Sequence, residues 1–516
     1  MRNLLTIVVI GAFTVSPAFA EGLYDSIQPA NPIEVQTAPV STFAMPPKKA
    51  TLTHNDIHNQ YLIAYDRFMQ CNVKSSYMDF KILIDTMVPN DYAYMQLAEK
   101  MADIGFFNLS DLAANKIDDR NLSDFLIGDV KSFYFPARKL KIDDEVYLGE
   151  VYSNIVFNDQ SREATSELVK NVNLIANSDY ANYVAALGYL KSNDILNADK
   201  YIDSAIKMNP QNLNYKKLKA EIQAQGKKPQ NALKTVAFIK SQKLYTADFT
   251  RKVSSLEQYV LYKTKKNESQ KMYHLGYYYY YENELAKSIR TLQGATSSKR
   301  SHNKDVYALM SRVYYDMNDL EKAQDTAQKA YKIDRNNPTA LLVLGDLNYR
   351  KHDYKTALKY YKDAEANDRT SSICPIKVAQ TYEQLGKEKK AYELYEKILK
   401  TYTDAYVAYY KIALKDKTRE ETYLKKAIAV NMYFKDAWID LARVEIQRQN
   451  FIEAKKYLGV ANYIDENDFR YYYYQGLIAK NQGLKQDAAY NFKKTLLLNP
   501  NYQPAKEELN LWNKIF

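Results

Sequence analysis

Cysteine, tryptophan, glycine and proline are all scarce in this chain. Its 516 residues include 2 cysteines, 2 tryptophans, 14 glycines and 14 prolines. Two cysteines far apart, Cys71 and Cys374, cannot make a disulfide framework or a cysteine-rich zinc site. Low cysteine use is compatible with export. Few glycines and prolines beside 46% hydrophobic residues suit a folded, mainly helical protein. The length exceeds what one compact core accommodates, so several domains or an array are expected. Catalytic punctuation is missing too: there is no Gly-rich phosphate loop, no G-x-S-x-G and no H-E-x-x-H.

Long apolar runs are absent after the first 20 residues, so no membrane span is expected once that segment is removed. Those 20 residues carry Arg2, an apolar stretch from Leu4 to Val15, and Ala18-Phe19-Ala20 as an A-x-A site. The order predicts a Sec-type signal peptide cleaved after Ala20, hence a periplasmic or secreted protein. No cysteine follows the stretch to take a lipid anchor. Residues 21–50, with Pro29, Pro32, Pro39, Pro46 and Pro47, are expected to be a disordered linker.

Charge is uneven. Residues 1–20 carry +1 and 21–141 carry −3, so the net +11 leaves +13 on 142–516. That excess would favour an acidic partner, an anionic glycan or a membrane surface, although lysines that keep a long array soluble are the stronger explanation. Nucleic acid is not expected behind a signal peptide.

What the chain does have is a period. Numbering slots from Pro338, small residues fall at the eighth (Gly345), twentieth (Ala357) and twenty-seventh (Ala364). The same slots hold Ser311, Ala323 and Ala330 in 304–337, and Ala379, Ala391 and Ile398 in 372–405. They hold Ala442, Ala454 and Ala461 in 435–468, and Gly476, Ala488 and Thr495 in 469–502. In 269–302 Gly276 and Ala295 are in register, but Ser288 replaces the usual Ala. Within 338–371, Leu341, Leu344, Gly345 and Asn348 make one helical face, His352-Asp353 a turn, and Ala357, Tyr361 and Ala364 a second helix. Small slots let two helices approach closely.

This pattern resembles the tetratricopeptide repeat, a 34-residue helix–turn–helix unit. The resemblance implies an all-α fold, an α-solenoid wound as a right-handed superhelix. It covers 269–502 well, with 406–434 shortened by about five residues. It covers 142–246 more weakly, with about three extra residues at the turn of 142–178. Residues 51–141 are expected to be degenerate helical repeats, including 57–90 and 91–124. Segment 247–268 does not fit and is expected to be a helical joint, around Lys252–Tyr262, between two sub-arrays. Residues 503–516 should form a capping helix, with Leu509, Leu511 and Trp512 sealing the last repeat.

Candidate chemistry is sparse. His54 and His58 have metal-helix spacing, but no third ligand is evident, and two solvated histidines ahead of the first helix are the simpler expectation. Cys71 and Cys374 are expected to be small hydrophobes. No catalytic residue, cofactor or metal is nominated; an enzyme would need a domain inside 51–141, which is too short and too helical.

Tyrosine is the exception, at 48 residues, including the run Tyr277–Tyr281. The resemblance implies that ligands lie in a concave groove lined by first helices, at slots two, five, nine, twelve and thirteen. Those slots give Tyr273, Tyr277, Tyr280 and Tyr281, then Arg312 and Tyr315, Tyr349 and Arg350, Arg443 and Tyr473. Tyr180 and Tyr183 fall on the same side, whereas Tyr279 should be core. Tyr offers amphipathic contact area and Arg reads carboxylates. The expectation is an exported scaffold that binds a protein or peptide there. The alternative is a component of envelope polysaccharide export or assembly that contacts glycan.

Overall fold

The computed structural model describes residues 54–87, 91–118, 135–226, 229–242, 247–296, 303–402, 405–431, 434–465 and 467–515. The expected signal peptide and the linker at 21–50 lie outside them. The described residues form 27 α-helices and no strand. Helix α1 (His54–Met69) packs on α2 (Val73–Thr86), and α3 (Asp91–Asp103) on α4 (Phe107–Ala114). Then α5 (Ile142–Phe157) packs on α6 (Ser161–Lys170), followed by a short α7 (Val172–Asn177). The pairs α8 (Asp179–Lys191) with α9 (Ile195–Met208), and α10 (Leu213–Gln225) with α11 (Pro229–Ser241), lead to α12 (Ala247–Thr264).

Beyond it come α13 (Glu268–Tyr281) with α14 (Leu285–Thr296), α15 (Asn303–Asp316) with α16 (Leu320–Ile333), and α17 (Pro338–Arg350) with α18 (Tyr354–Asn367). The array continues with α19 (Ile373–Gln384) and α20 (Glu388–Thr401), α21 (Tyr406–Lys415) and α22 (Glu420–Val430), α23 (Lys435–Gln447) and α24 (Phe451–Ile464), and α25 (Phe469–Asn481) and α26 (Lys485–Leu498). Helix α27 (Gln503–Ile515) closes it, with Leu509 on the last core cluster. Pairs dock on their neighbours along the array, α5 meeting α1 and α2, and the described residues form an all-α repeat solenoid.

The register is visible in the backbone. Slot fifteen is left-handed wherever a full-length repeat describes it: Cys71, Gly105, Asn193, Asn283, Asn318, His352, Gly386, Gln449 and Gly483 all have positive φ. The next amide then bonds back five residues, as from Asp194 to the Tyr189 carbonyl at 2.8 Å, Glu284 to Tyr279 at 2.8 Å and Asp319 to Tyr314 at 2.9 Å. That closes the first helix with a Schellman-type turn. Slot sixteen starts the second helix: Asp194, Asp319, Asp353 and Asn450 each accept from the amide three residues on. In 142–178 the left-handed residue is Asp159, because α5 runs longer before the turn.

Close approach explains the eighth slot. A Cβ on Gly345 would lie 2.5 Å from Tyr361, and one on Gly476 would lie 2.6 Å from Phe492. In both repeats slot eight faces a ring at slot twenty-four, and only glycine leaves room for it.

The degenerate-looking start is built the same way. Cys71 and Gly105 occupy slot fifteen of 57–90 and 91–124, and the cores of both are buried, with Phe68, Phe80 and Phe106 fully enclosed. His54 and His58 lie within the opening of α1 rather than ahead of it. The segment 247–268 is one helix, α12, packed antiparallel to α13. Gln258 meets His274 at 2.9 Å, Ser255 donates to Glu282 at 2.5 Å, and Arg251 donates to the Tyr281 carbonyl at 2.6 Å.

Two distant parts also touch. Helix α24 packs against α3, and buried residues from 61–260 and 410–478 belong to one continuous apolar cluster.

Candidate functional site

The tyrosine run sits on α13, whose N-terminus is capped by Asn267 accepting from the Gln270 amide. A run of five must circle the helix. Tyr273, Tyr277, Tyr280 and Tyr281 are all half-buried. Tyr277 makes ring contacts with Tyr273 at 5.8 Å, Tyr280 at 5.9 Å and Tyr281 at 5.2 Å. Burial pushes the four hydroxyls above the usual phenol range, so they remain neutral donors. Three of them, Tyr273, Tyr277 and Tyr280, rest one flank on the core of Leu292 and Val313. Tyr279, expected in the core, lies half-buried at the turn end of α13 with the Lys287 ammonium 5.7 Å from its ring. Slot eleven of the next repeat repeats this, with Lys322 over Tyr314 at 5.6 Å. The slot borders the turn, where a lysine from the second helix reaches the ring; Tyr314 is nevertheless 7% exposed and part of the apolar core, whereas Tyr279 is not.

The structure joins this cluster to the next two first helices. The Tyr280 hydroxyl donates to Asp316 at 2.7 Å. Asp316 also pairs with Arg312 at 3.1 Å, and Arg312 reaches Asp346 on α17 at 3.6 Å. Asp346 is 3% exposed and accepts from the Tyr361 hydroxyl at 2.7 Å and from Lys377 at 3.1 Å. The guanidiniums of Arg312 and Arg350 lie 5.7 and 5.8 Å from the Tyr315 ring, and Arg350 also donates to Asn318 at 3.1 Å. Tyr280, Arg312, Tyr315 and Arg350 therefore share one surface. Tyr349 turns to Tyr354, with ring centroids 5.2 Å apart.

The other two candidates stand apart. Arg443 pairs with Asp440 at 2.9 Å and with Glu420, while the Tyr410 hydroxyl donates to Asp440 at 2.9 Å. Tyr473 packs on Tyr502, just ahead of the capping helix, at 5.1 Å. Tyr180 is not open to a ligand. It is 4% exposed, edge-on to Phe107 at 4.8 Å, and so close to Gly105 that a Cβ there would sit 2.0 Å from its hydroxyl. Tyr183 is stacked between Tyr180 and Tyr215 at 5.7 and 5.2 Å.

The carboxylates were the residues missed. Asp316 is slot thirteen of 304–337 and Asp346 is slot nine of 338–371, so the slot arithmetic that nominated the arginines already contained their partners. An arginine held by carboxylates from its own and the neighbouring helix has little charge left to offer a ligand. A lysine–carboxylate pair also bridges the first helices farther along, from Lys411 to Glu383 at 2.7 Å.

Two other titratable groups are held neutral by burial. Burial raises the Cys374 thiol to about 12. Burial also lowers His274 to about 4, helped by Lys265, so it is neutral. Among the described residues no group of three or more His, Cys, Asp or Glu is arranged to hold a metal ion, and no helix is long and apolar enough to cross a membrane. A cavity of about 330 Å³ lies elsewhere, lined by Phe107, Asn108, Phe135, Lys139 and Asn209.

Comparison with known proteins places the repeat. A family model described as tetratricopeptide repeat matches residues 309–372. No curated protein matches the sequence. Among solved structures, the APC/C hetero-tetramer Cut9-Hcn1 is 12% identical, with a TM-score of 0.44 over 88% of this chain and 96% of that one. PilW, a type IV pilus biogenesis factor, is 19% identical, with a TM-score of 0.34 over 40% of this chain and 99% of its own. PilF of Pseudomonas aeruginosa is 15% identical, with a TM-score of 0.28 over 46% and 97% of the two chains. All three scores lie below 0.5, so the fold rests on the helices and register described above.

Proposed function

We propose that this tetratricopeptide-repeat protein is an exported, non-catalytic scaffold that holds a protein or peptide segment against α13, α15 and α17. The observation that carries this reading is the half-buried tyrosine surface of Tyr273, Tyr277, Tyr280, Tyr281 and Tyr315. One flank of each ring is fixed by packing, so the other is presented at little further entropic cost. Aromatic anchors of this kind dominate binding energy at interfaces.

The ligand chemistry follows from the charges. Arg312 is committed to Asp316 and Asp346, so the surface favours an uncharged segment with aromatic or proline side chains over an acidic one. The +13 on 142–516 is then a property of the outer faces and of solubility. Export remains a proposal from the first 20 residues.

The test replaces Tyr273 and Tyr281 together with Ala. Both side chains are half-buried at the flank of α13 rather than enclosed in the core, so helical circular dichroism should persist. Capture of a partner from an envelope fraction, identified by mass spectrometry, should be lost. A double variant that captures as well as the wild type sinks the reading, and binding to a glycan array without any protein partner replaces it with the polysaccharide one.

A further inference from the structure

The second helix of 435–468 departs from its counterparts on its outer face. Its twenty-fifth and twenty-sixth slots are Gly459 and Val460. Those slots hold Gln328 and Lys329 in 304–337 and Glu396 and Lys397 in 372–405, all exposed. Val460 is instead 3% exposed, and Tyr457 on the same helix is 7% exposed. An apolar outer slot in a solenoid stays buried only if another element covers it. Helix α3, from the second repeat, packs against α24. On α3, Met95 and Ala102 occupy slots five and twelve, the groove side of that repeat, and are 0% and 3% exposed. Gly459, one residue before Val460, adds no side chain to that part of α24. At the rim Lys456 lies 3.6 Å from Asp118, both substantially exposed.

We propose that α3 and α24 form a latch, which closes the solenoid on itself and covers the groove side of repeat 91–124. Each helix is already secured in its own repeat, α3 by α4 and α24 by α23. Opening therefore forfeits only the seam between them and leaves both repeats folded, a sub-global opening of the kind arrays permit. Once open, the two faces accept an amphipathic helix with a small apolar face, the chemistry that each now provides for the other. The latch is independent of what the tyrosine surface binds.

The test uses two variants of the full chain, Val460→Lys and Gly459→Gln. Each restores a residue type that other repeats carry at that slot, and Gln raises helix propensity over Gly, so the repeat should stay folded. Hydrogen exchange in α3 and α24 should rise by about tenfold, the consequence of exposing one buried valine. Small-angle scattering should show a larger radius of gyration, with circular dichroism unchanged. Lys329→Val, at the same slot of another repeat, should do neither. If both latch variants keep wild-type exchange in α3 and wild-type scattering, the latch is wrong.

Discussion

The Ser288 hydroxyl donates to the carbonyl oxygen of Gly276 at 2.7 Å, and the same bond joins Ser76 to Ala64 and Ser110 to Ala98, each at 2.7 Å. In all three repeats the serine is slot twenty and the carbonyl belongs to slot eight. Serine is therefore a second solution at a slot where most repeats use alanine. The hydroxyl reaches a helical carbonyl across the narrowest part of the pair, so its burial is satisfied. Ser288→Ala should cost about 1 kcal/mol or less, because the bond and the buried donor vanish together. Ser288→Val adds volume where none is free and should cost about 1–3 kcal/mol. Thermal melts of the two variants, compared with the wild type, check this ordering; equal losses would contradict it.

Gly345 and Tyr361 make a stricter pair. A Cβ on Gly345 would meet the ring at 2.5 Å, and the Tyr361 hydroxyl is tied to Asp346. Gly345→Ala should destabilise 338–371 by about 1–3 kcal/mol despite alanine's better helix propensity. Adding Tyr361→Leu should recover part of that loss. Additive losses in a double-mutant cycle would show that the two positions do not share the space.

Glu145 makes the N-terminal repeats sensitive to pH. It is 0% exposed and accepts from the Asn108 amide at 2.7 Å and the Asn108 side chain at 3.0 Å, joining α5 to the start of α4. Burial raises its carboxyl from 4.5 to about 7, against the pull of those donors. The folded state then holds more protons than the unfolded one between these values. Its contribution to stability is fully present below pH 4.5 and is lost as pH rises through about 7, a change of roughly 3 kcal/mol at most. Amide exchange in α4 and α5, corrected for the intrinsic rate, should be faster at pH 8 than at pH 5.5. Glu145→Gln should flatten that difference, and a wild type with no difference would refute the assignment.

Asp468 responds in the opposite direction. Burial alone would raise it, but Arg470 at 2.6 Å and Lys435 at 2.8 Å hold it at about 2. Its folded value lies below the unfolded 3.8, so its contribution is present above that pH and lost as pH falls through about 2. Asp468→Asn should loosen α25 near neutral pH and leave little further loss on acidification. Hydrogen exchange in α25 at pH 7 and pH 3 measures both.

Freeing the paired arginine tests the ligand chemistry. Asp316→Asn with Asp346→Asn leaves Arg312 and Lys377 without their carboxylates. The variant should lose about 3–5 kcal/mol per broken buried pair at the upper end, and less where water enters. If it folds, it should gain salt-sensitive binding of an acidic peptide such as poly-glutamate that the wild type lacks. Wild-type binding of that peptide would mean the arginines are available after all.

Much of this was legible in the chain. The slots placed the turn at His352, the close approach at Gly345 and Gly476, and the capping helix after 502. They placed 57–90 and 91–124 only by length and the small residues Ala64 and Ala98, because Ser76, Ser110 and Cys71 did not look like the residues those slots usually hold. Tyr180 is enclosed rather than open to a ligand, and Tyr279 lies at the turn rather than in the core. Slot position alone does not say that Phe107 and Gly105 enclose the first, or that the turn leaves the second to a lysine.

The sequence by itself determined the period, the all-α class and which positions had to be small, because these follow from contacts within one repeat. Only the tertiary structure decided that Arg312 is neutralised by Asp316 and Asp346, that Glu145 is sealed beneath α4, and that α24 packs against α3 with Val460 buried. Each of these depends on a neighbour in another repeat or at the far end of the chain. Desolvation and charge pairing act through space, so their sign is set where the helices meet rather than by spacing along one of them.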